Sequence, residues 1–188
     1  MAKRLTVDEV LYFLGRGDFD EIIDAVEDEY LEFKGAPYHL ASDSMKLELA
    51  KDVSALANGD GGLIVLGFCT SKDPDSFVEF VHECRPFDRK LSDLDQYVKV
   101  LADWICPAMS SVELLPFSSR ANIEKIVVAL FVPAREIDQK PFLVNRAVDP
   151  AGKVRGTQFG YYERIRGSYS GCICGDIEIL HSGRDALL

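Results

Sequence analysis

Hydrophobic positions change their period several times along this chain, and each change predicts a new element. Thr6-Val7-Asp8-Glu9 has the pattern of a capping box, so a short helix should run to Leu14, with Gly15 and Gly17 breaking it. Asp18 can cap a second helix, with Ile22, Ile23 and Val26 as its apolar stripe. Tyr30-Leu31-Glu32-Phe33-Lys34 alternates apolar and charged, which predicts a strand with one wet face. Met45, Leu49, Val53 and Leu56 predict an amphipathic helix over 45–57, ended by Asn58-Gly59-Asp60-Gly61-Gly62. The continuous apolar run 63–68 then reads as a buried strand, and 77–81 as a further one.

Leu94, Val98, Leu101 and Ile105 mark a third long helix, capped by Ser92 and closed before Pro107. The second half turns to strands. Val112–Phe117 and Ile126–Val132 predict a pair, the latter central because it is apolar throughout. Phe142–Val144 and Tyr161–Ile165 are shorter strands, with a flexible glycine-bearing loop over 150–160. The pattern predicts an α+β fold: one compact domain whose mixed, mainly antiparallel sheet is flanked by helices.

The 188 residues suffice for one domain with a sizeable core, and 47% hydrophobic with 28% charged residues is a globular balance. No apolar run is long enough to cross a bilayer, and the start Met1–Leu5 leads straight into acidic sequence without an apolar leader core. The expected compartment is the cytoplasm, with no membrane partner. An odd count of five cysteines suits reduced thiols. Cys172, Cys174 and His181 offer three metal ligands, but the second pair of a zinc knuckle is missing.

A net charge of −10 argues against a chain that sticks to nucleic acid over its whole surface. The charge is uneven, however. Residues 1–32 hold ten acids and three bases, whereas 135–166 hold seven bases and four acids. Arg164 and Arg166 alternate on one predicted strand, so both should share a face. Lys153, Arg155 and Ser168 can extend that face toward phosphates, with Tyr161 and Tyr169 as stacking surfaces for bases. The alternative is a solvated strand paired with local acids.

The glycines of Asn58-Gly59-Asp60-Gly61-Gly62 let either a phosphate or another backbone come close. The segment lacks the Lys-Ser/Thr of a phosphate-binding P-loop and precedes a strand rather than a helix, which argues against ATP.

Four pieces stand in order: Glu27 with Leu31-Glu32-Phe33-Lys34; the helix end Ala55-Leu56-Ala57-Asn58 with Gly61-Gly62 and a strand; Val132-Pro133 with Lys140-Pro141-Phe142; and Tyr162-Glu163-Arg164-Ile165-Arg166-Gly167-Ser168. Together they resemble the Schlafen AlbA-like domain, over roughly residues 18–175. On this reading 1–17 is a helical lead-in and 176–188 a tail. The resemblance implies a nucleic-acid partner, DNA or RNA, and makes Lys34 a contact. It also implies a homodimer, because Schlafen cores pair two such domains around a groove and this chain carries one.

Related vertebrate domains cleave transfer RNA with three acids and a divalent metal. The resemblance puts two of those acids at Glu27 and Glu32, where magnesium or manganese would activate water. The third falls at Cys69 or Thr70, so Asp73 or Asp60 can replace it only if the loop bends back. The bland account of Glu27 is a surface residue in an acidic stretch. The leading expectation is therefore a non-catalytic, regulatory nucleic-acid binder, with a metal-dependent endoribonuclease and a protein-interaction module as alternatives.

Overall fold

The computed structural model describes residues 2–74, 78–120 and 122–165, together with the backbone of 168–174. Arg166 and His181 lie outside the described residues, as do the side chains of Ser168, Tyr169, Cys172 and Cys174.

Thr6 and Glu9 cap the first helix, α1 (Val7–Arg16), reciprocally. Thr6 Oγ1 accepts from the Glu9 N–H at 3.2 Å, and Glu9 Oε2 accepts from the Thr6 N–H at 2.8 Å. Gly15 stays inside the helix, and Gly17 ends it in the left-handed conformation. The helix expected after Asp18 is only a 3-10 turn, Phe19–Ile22. Beyond it the backbone bonds sideways: Asp24 N–H donates to Val81 O at 2.8 Å and Val26 N–H to Lys3 O at 3.0 Å. These long-range bonds replace the helical ladder that Ile22, Ile23 and Val26 suggested.

The remaining elements are β1 (Leu31–Lys34), α2 (Asp43–Asn58), β2 (Gly62–Leu66), β3 (Phe68–Lys72), β4 (Glu79–Cys84), β5 (Phe87–Asp88), α3 (Leu94–Trp104), β6 (Ile105–Cys106), β7 (Glu113–Ser118), β8 (Lys125–Val132), β9 (Leu143–Val144), β10 (Ala147–Val148), β11 (Val154–Gly156), β12 (Phe159–Ile165) and β13 (Ser168–Cys174). β1, β2, β8 and β5 form one sheet in that order, with β7 also on β8. Only β1–β2 is parallel in it. A second, antiparallel sheet runs β13-β12-β9-β6. β3–β4 and β10–β11 are separate two-stranded hairpins.

This is the mixed α+β domain with mainly antiparallel strands that the pattern predicts. β8 is central, and its continuous apolar run has a cause. Ile126, Val128, Leu130 and Val132 enter a core with α2 and α3, while Val127 and Ala129 enter a second core with α1. Both faces of the strand are therefore buried.

Two further expectations shift. α3 begins after Asp93 rather than Ser92, and buries Tyr97, Leu101 and Trp104, leaving Val98 48% exposed. The stretch 150–160 is not a plain loop, because β11 pairs with β10 and β12 begins at Phe159. No helix among the described residues is long and apolar enough to cross a membrane.

Candidate functional site

β1 sorts its side chains by strict alternation. Leu31 and Phe33 enter the core with α1. Glu32 and Lys34, in register with Ile64 and Leu66, take the opposite face, where Lys34 meets Asp52 of α2. Glu32 is therefore not on a wet face. It lies between two cations: Lys34 Nζ is 2.7 Å from its Oε1, and the Arg164 guanidinium pairs with its Oε2.

The charges continue as a chain. Lys34 Nζ also stands 3.4 Å from Asp52 Oδ2. That oxygen accepts from Tyr38 Oη at 2.5 Å, and the Tyr97 hydroxyl accepts from Tyr38 N–H at 3.0 Å. Burial opposes the Lys34 ammonium, yet Asp52 and Glu32 outweigh it and its pKa is raised. Burial raises the Asp52 carboxyl, against the pull of Lys34. The Tyr38 phenol is held well above its ordinary value by burial and by Asp52. Two acids and two bases thus balance inside the domain.

Arg164 is the clearest departure from expectation. Its side chain is 3% exposed, and it also reaches the Leu31 carbonyl at 3.4 Å. It closes the outer edge of β1 rather than facing solvent. Lys34 and Arg164 both pair with Glu32; Arg164 is buried there, while the Lys34 side chain stays 34% exposed.

Glu27 is not a plain surface acid either. Its Oε1 accepts the Phe33 N–H at 3.0 Å, which covers the same strand edge. Burial first, then the Glu32 charge, pushes its pKa up to about 8, and it hydrogen-bonds to Glu79. Lys72, 3.1 Å from Glu79, holds that partner low, so the shared proton sits on Glu27. Asp73 lies at the start of the β3–β4 turn, its N–H donating to Val78 O at 2.9 Å. Glu27, Glu32 and Asp73 are not gathered into a metal site. Among the described residues no three acids, thiols or imidazoles stand so as to hold a metal ion. Both oxygens of Glu32 are already held by cations, Lys34 and Arg164.

The glycine segment admits backbone. A Cβ on Gly61, whose φ is 78°, would lie 2.6 Å from both Ala134 N and Val132 O. One on Gly62 would strike the Tyr30 carbonyl. Lys140 Nζ donates to Gly59 O at 2.5 Å. Asn58 turns inward: its amide donates to Phe142 O at 2.8 Å and Tyr162 O at 2.7 Å, and accepts from Phe142 N–H at 2.7 Å. Asn58 thus ties the end of α2 to Phe142, next to β9, and to β12, while Gly61 and Gly62 lie against the chain after β8 and before β1.

Lys153 and Arg155 remain at the surface. Both are exposed on the β10–β11 hairpin. Asp149 organises the turn, accepting Lys153 N–H at 3.0 Å and Arg155 Nε at 2.7 Å. Val154 N–H reaches Asp43 Oδ2 at 3.4 Å, tying the hairpin to the start of α2. Lys153 makes no ion pair among the described residues. Tyr161 is half-buried, its hydroxyl donating to Glu163 at 3.1 Å.

No protein-family model and no curated protein matches the chain. Solved structures similar to the chain include the following two. One is the N-terminal domain of a Nitrosomonas europaea protein described as related to the ATP-dependent DNA helicase RecG; identity is 21% and the TM-score 0.46, over 86% of this chain and 94% of that one. The other is a Corynebacterium diphtheriae protein, at 14% identity and TM-score 0.42, over 87% of this chain and only 32% of that one. At these scores neither likeness carries functional weight.

Asp52, Glu79 and Tyr38 are members of the charged chain that the sequence reading missed. Asp52 had a signal. It falls three residues after Leu49 and four before Leu56, a carboxylate inside an apolar stripe, which calls for a buried partner. Glu79 had none, because the turn that brings it to Glu27 is set by long-range pairing.

Proposed function

We propose that this domain binds nucleic acid, as a non-catalytic module of Schlafen AlbA-like type, and that the β10–β11 hairpin is its phosphate contact. One observation carries the reading. In an acidic domain whose buried cations are internally neutralised, Lys153 and Arg155 stand exposed together on a turn already ordered by Asp149. An ordered turn loses little freedom on binding. The ordered set of family motifs in the sequence supports the same partner. Arg166 and the side chain of Ser168 lie outside what the structure describes and remain proposed contacts by sequence alone.

A symmetric homodimer would double the phosphate contacts. Light scattering should then give twice the chain mass, and a monomer at every concentration would remove the dimer. A mobility-shift assay with single- and double-stranded DNA and RNA, with and without manganese, tests the main reading. Shifted but intact nucleic acid is expected. Shortened RNA in the manganese lanes would favour a nuclease, and no shift at low salt a protein-interaction module.

A further inference from the structure

A cleft of about 340 Å³ opens between the chain following β6 and the chain following β8. Its floor is apolar, made by Met109 and Phe142, which are 3% and 6% exposed. Its polar lining is Ser110, Ser111, Gln139 and Arg135, and no lining residue is acidic. In a chain of net charge −10, this cleft lining carries a guanidinium and no carboxylate.

Arg135 is the unusual member. Its Nε is buried and has no hydrogen-bond partner among the described residues. It forms no ion pair there either, whereas Arg16, Arg85, Arg120, Arg146, Arg155 and Arg164 each hold a carboxylate. Four other buried polar atoms among the described residues share this state, Arg164 Nε among them, so what singles out Arg135 is its place in a cleft lining that holds no carboxylate. The root of Arg135 is fixed, because the backbone of 132–134 lies on Gly61, where a Cβ would come within 2.6 Å. The guanidinium is therefore presented from a rigid base.

We infer that this cleft binds a small organic phosphate, with the phosphate on Arg135, Ser110 and Ser111 and the organic part on Met109 and Phe142. The donor set decides between anions. A guanidinium fork, two hydroxyls and a carboxamide exceed what the two oxygens of a carboxylate use, and match the three terminal oxygens of a phosphate monoester. The volume decides between ligand sizes. It lies near the bottom of the ~300–1,000 Å³ range of small-molecule sites, so it suits one small ligand rather than a length of polymer. A larger cleft, about 460 Å³, has the opposite character, because Asp18, Asp20 and Glu21 line it and its Arg120 already pairs with Asp18.

Titration calorimetry of the full chain tests this, with inorganic phosphate, adenosine 5′-monophosphate and adenosine as probes. The monophosphate should bind more tightly than phosphate, and adenosine should give no heat. Arg135→Ala should weaken the monophosphate at least about tenfold, the scale of losing hydrogen bonds to one charged group, with circular dichroism unchanged. Should that variant fail to fold, the double variant Ser110→Ala with Ser111→Ala takes its place and should weaken binding in the same direction. Absence of heat with both phosphate probes, or unchanged affinity in the folded variants, would overturn the site. A 5′-phosphorylated trinucleotide that binds more tightly than the monophosphate, against a 5′-hydroxyl control, would reassign the cleft to a strand end. The site is separable from the hairpin: Lys153→Glu should keep monophosphate binding, and Arg135→Ala should keep the nucleic-acid shift.

Discussion

Arg164 on β12 and Glu32 on β1, 132 residues apart, form an ion pair whose side chains are 3% and 13% exposed. The pair joins the two main sheets, and Arg164 also caps the Leu31 carbonyl on the open edge of β1. An edge strand closed by its own domain's side chains does not recruit another chain.

Arg164→Ala should therefore act on stability. It strands a buried carboxylate with Lys34 alone, and removing one partner of a buried pair costs about 3–5 kcal/mol. Urea unfolding should show this as a lower midpoint. Arg164→Lys should recover only part, because one ammonium cannot serve both Glu32 and the Leu31 carbonyl as a planar fork does. If Arg164→Ala instead left the midpoint unchanged and weakened nucleic-acid binding, the arginine would belong to the binding surface after all.

Glu27 gives a pH dependence with a definite sign. Its folded pKa, about 8, lies above its ordinary value of 4.5. The folded state thus keeps a proton that the unfolded state has released, and stability falls as pH rises from about 4.5 through about 8. Glu79 is shifted downward, so its contribution is lost only as pH falls below the ordinary carboxylate range. Melting temperatures across pH 5 to 8 read this slope; the raised Asp52 carboxyl adds to it with the same sign, so the Glu27 share is the difference from a Glu27 variant. Glu27→Gln, which keeps an acceptor for Phe33 N–H and a donor for Glu79, should flatten the slope. A slope as steep as that of the wild type would remove Glu27 as its source.

Much of this fold was legible in local pattern. The Thr6–Glu9 box, the stripe of α2 and the two-faced apolar run of β8 each follow from neighbours within a few residues. The failure after Asp18 has a different origin. Ile22, Ile23 and Val26 suit a helix, but the partners that hold Asp24 and Val26 are Val81 and Lys3, far away in sequence. The candidate site divides in the same way. Alternation places Glu32 and Lys34 on one face of β1. It cannot say that Arg164 comes from β12 to meet them, because burial of a charge depends on a partner outside the window.

Asn58 supplies a prediction that separates architecture from ligand binding. Its three hydrogen bonds hold β9 and β12 to the end of α2, and the residue is 5% exposed. Asn58→Ala removes the side chain that pairs with the buried Phe142 N–H and carbonyl, and one bond to the Tyr162 carbonyl. One buried unsatisfied group costs about 1–3 kcal/mol, so a loss of at least about 2 kcal/mol is expected in denaturant unfolding. Asn58→Asp should fare no better, since a carboxylate cannot donate to the two carbonyls. Unfolding midpoints close to the wild type in both variants would release the segment for a role as a phosphate cradle.

The hairpin makes the functional prediction, and salt is its measure. Each phosphate neutralised releases counterions, so log affinity falls against log salt with a slope of about −0.9 per contact on duplex DNA. Lys153→Ala should weaken binding evenly across sequences and reduce the slope by about 1. Arg155→Ala should do less at first, because its Nε is already 2.7 Å from Asp149. Asp149→Asn should then strengthen binding, by freeing Arg155 and removing a negative charge beside the phosphate. That rise is the sharpest outcome, because simple loss of structure in the turn would lower affinity instead. A slope unchanged in Lys153→Ala, with Asp149→Asn neutral, would move the phosphate contacts elsewhere on the domain.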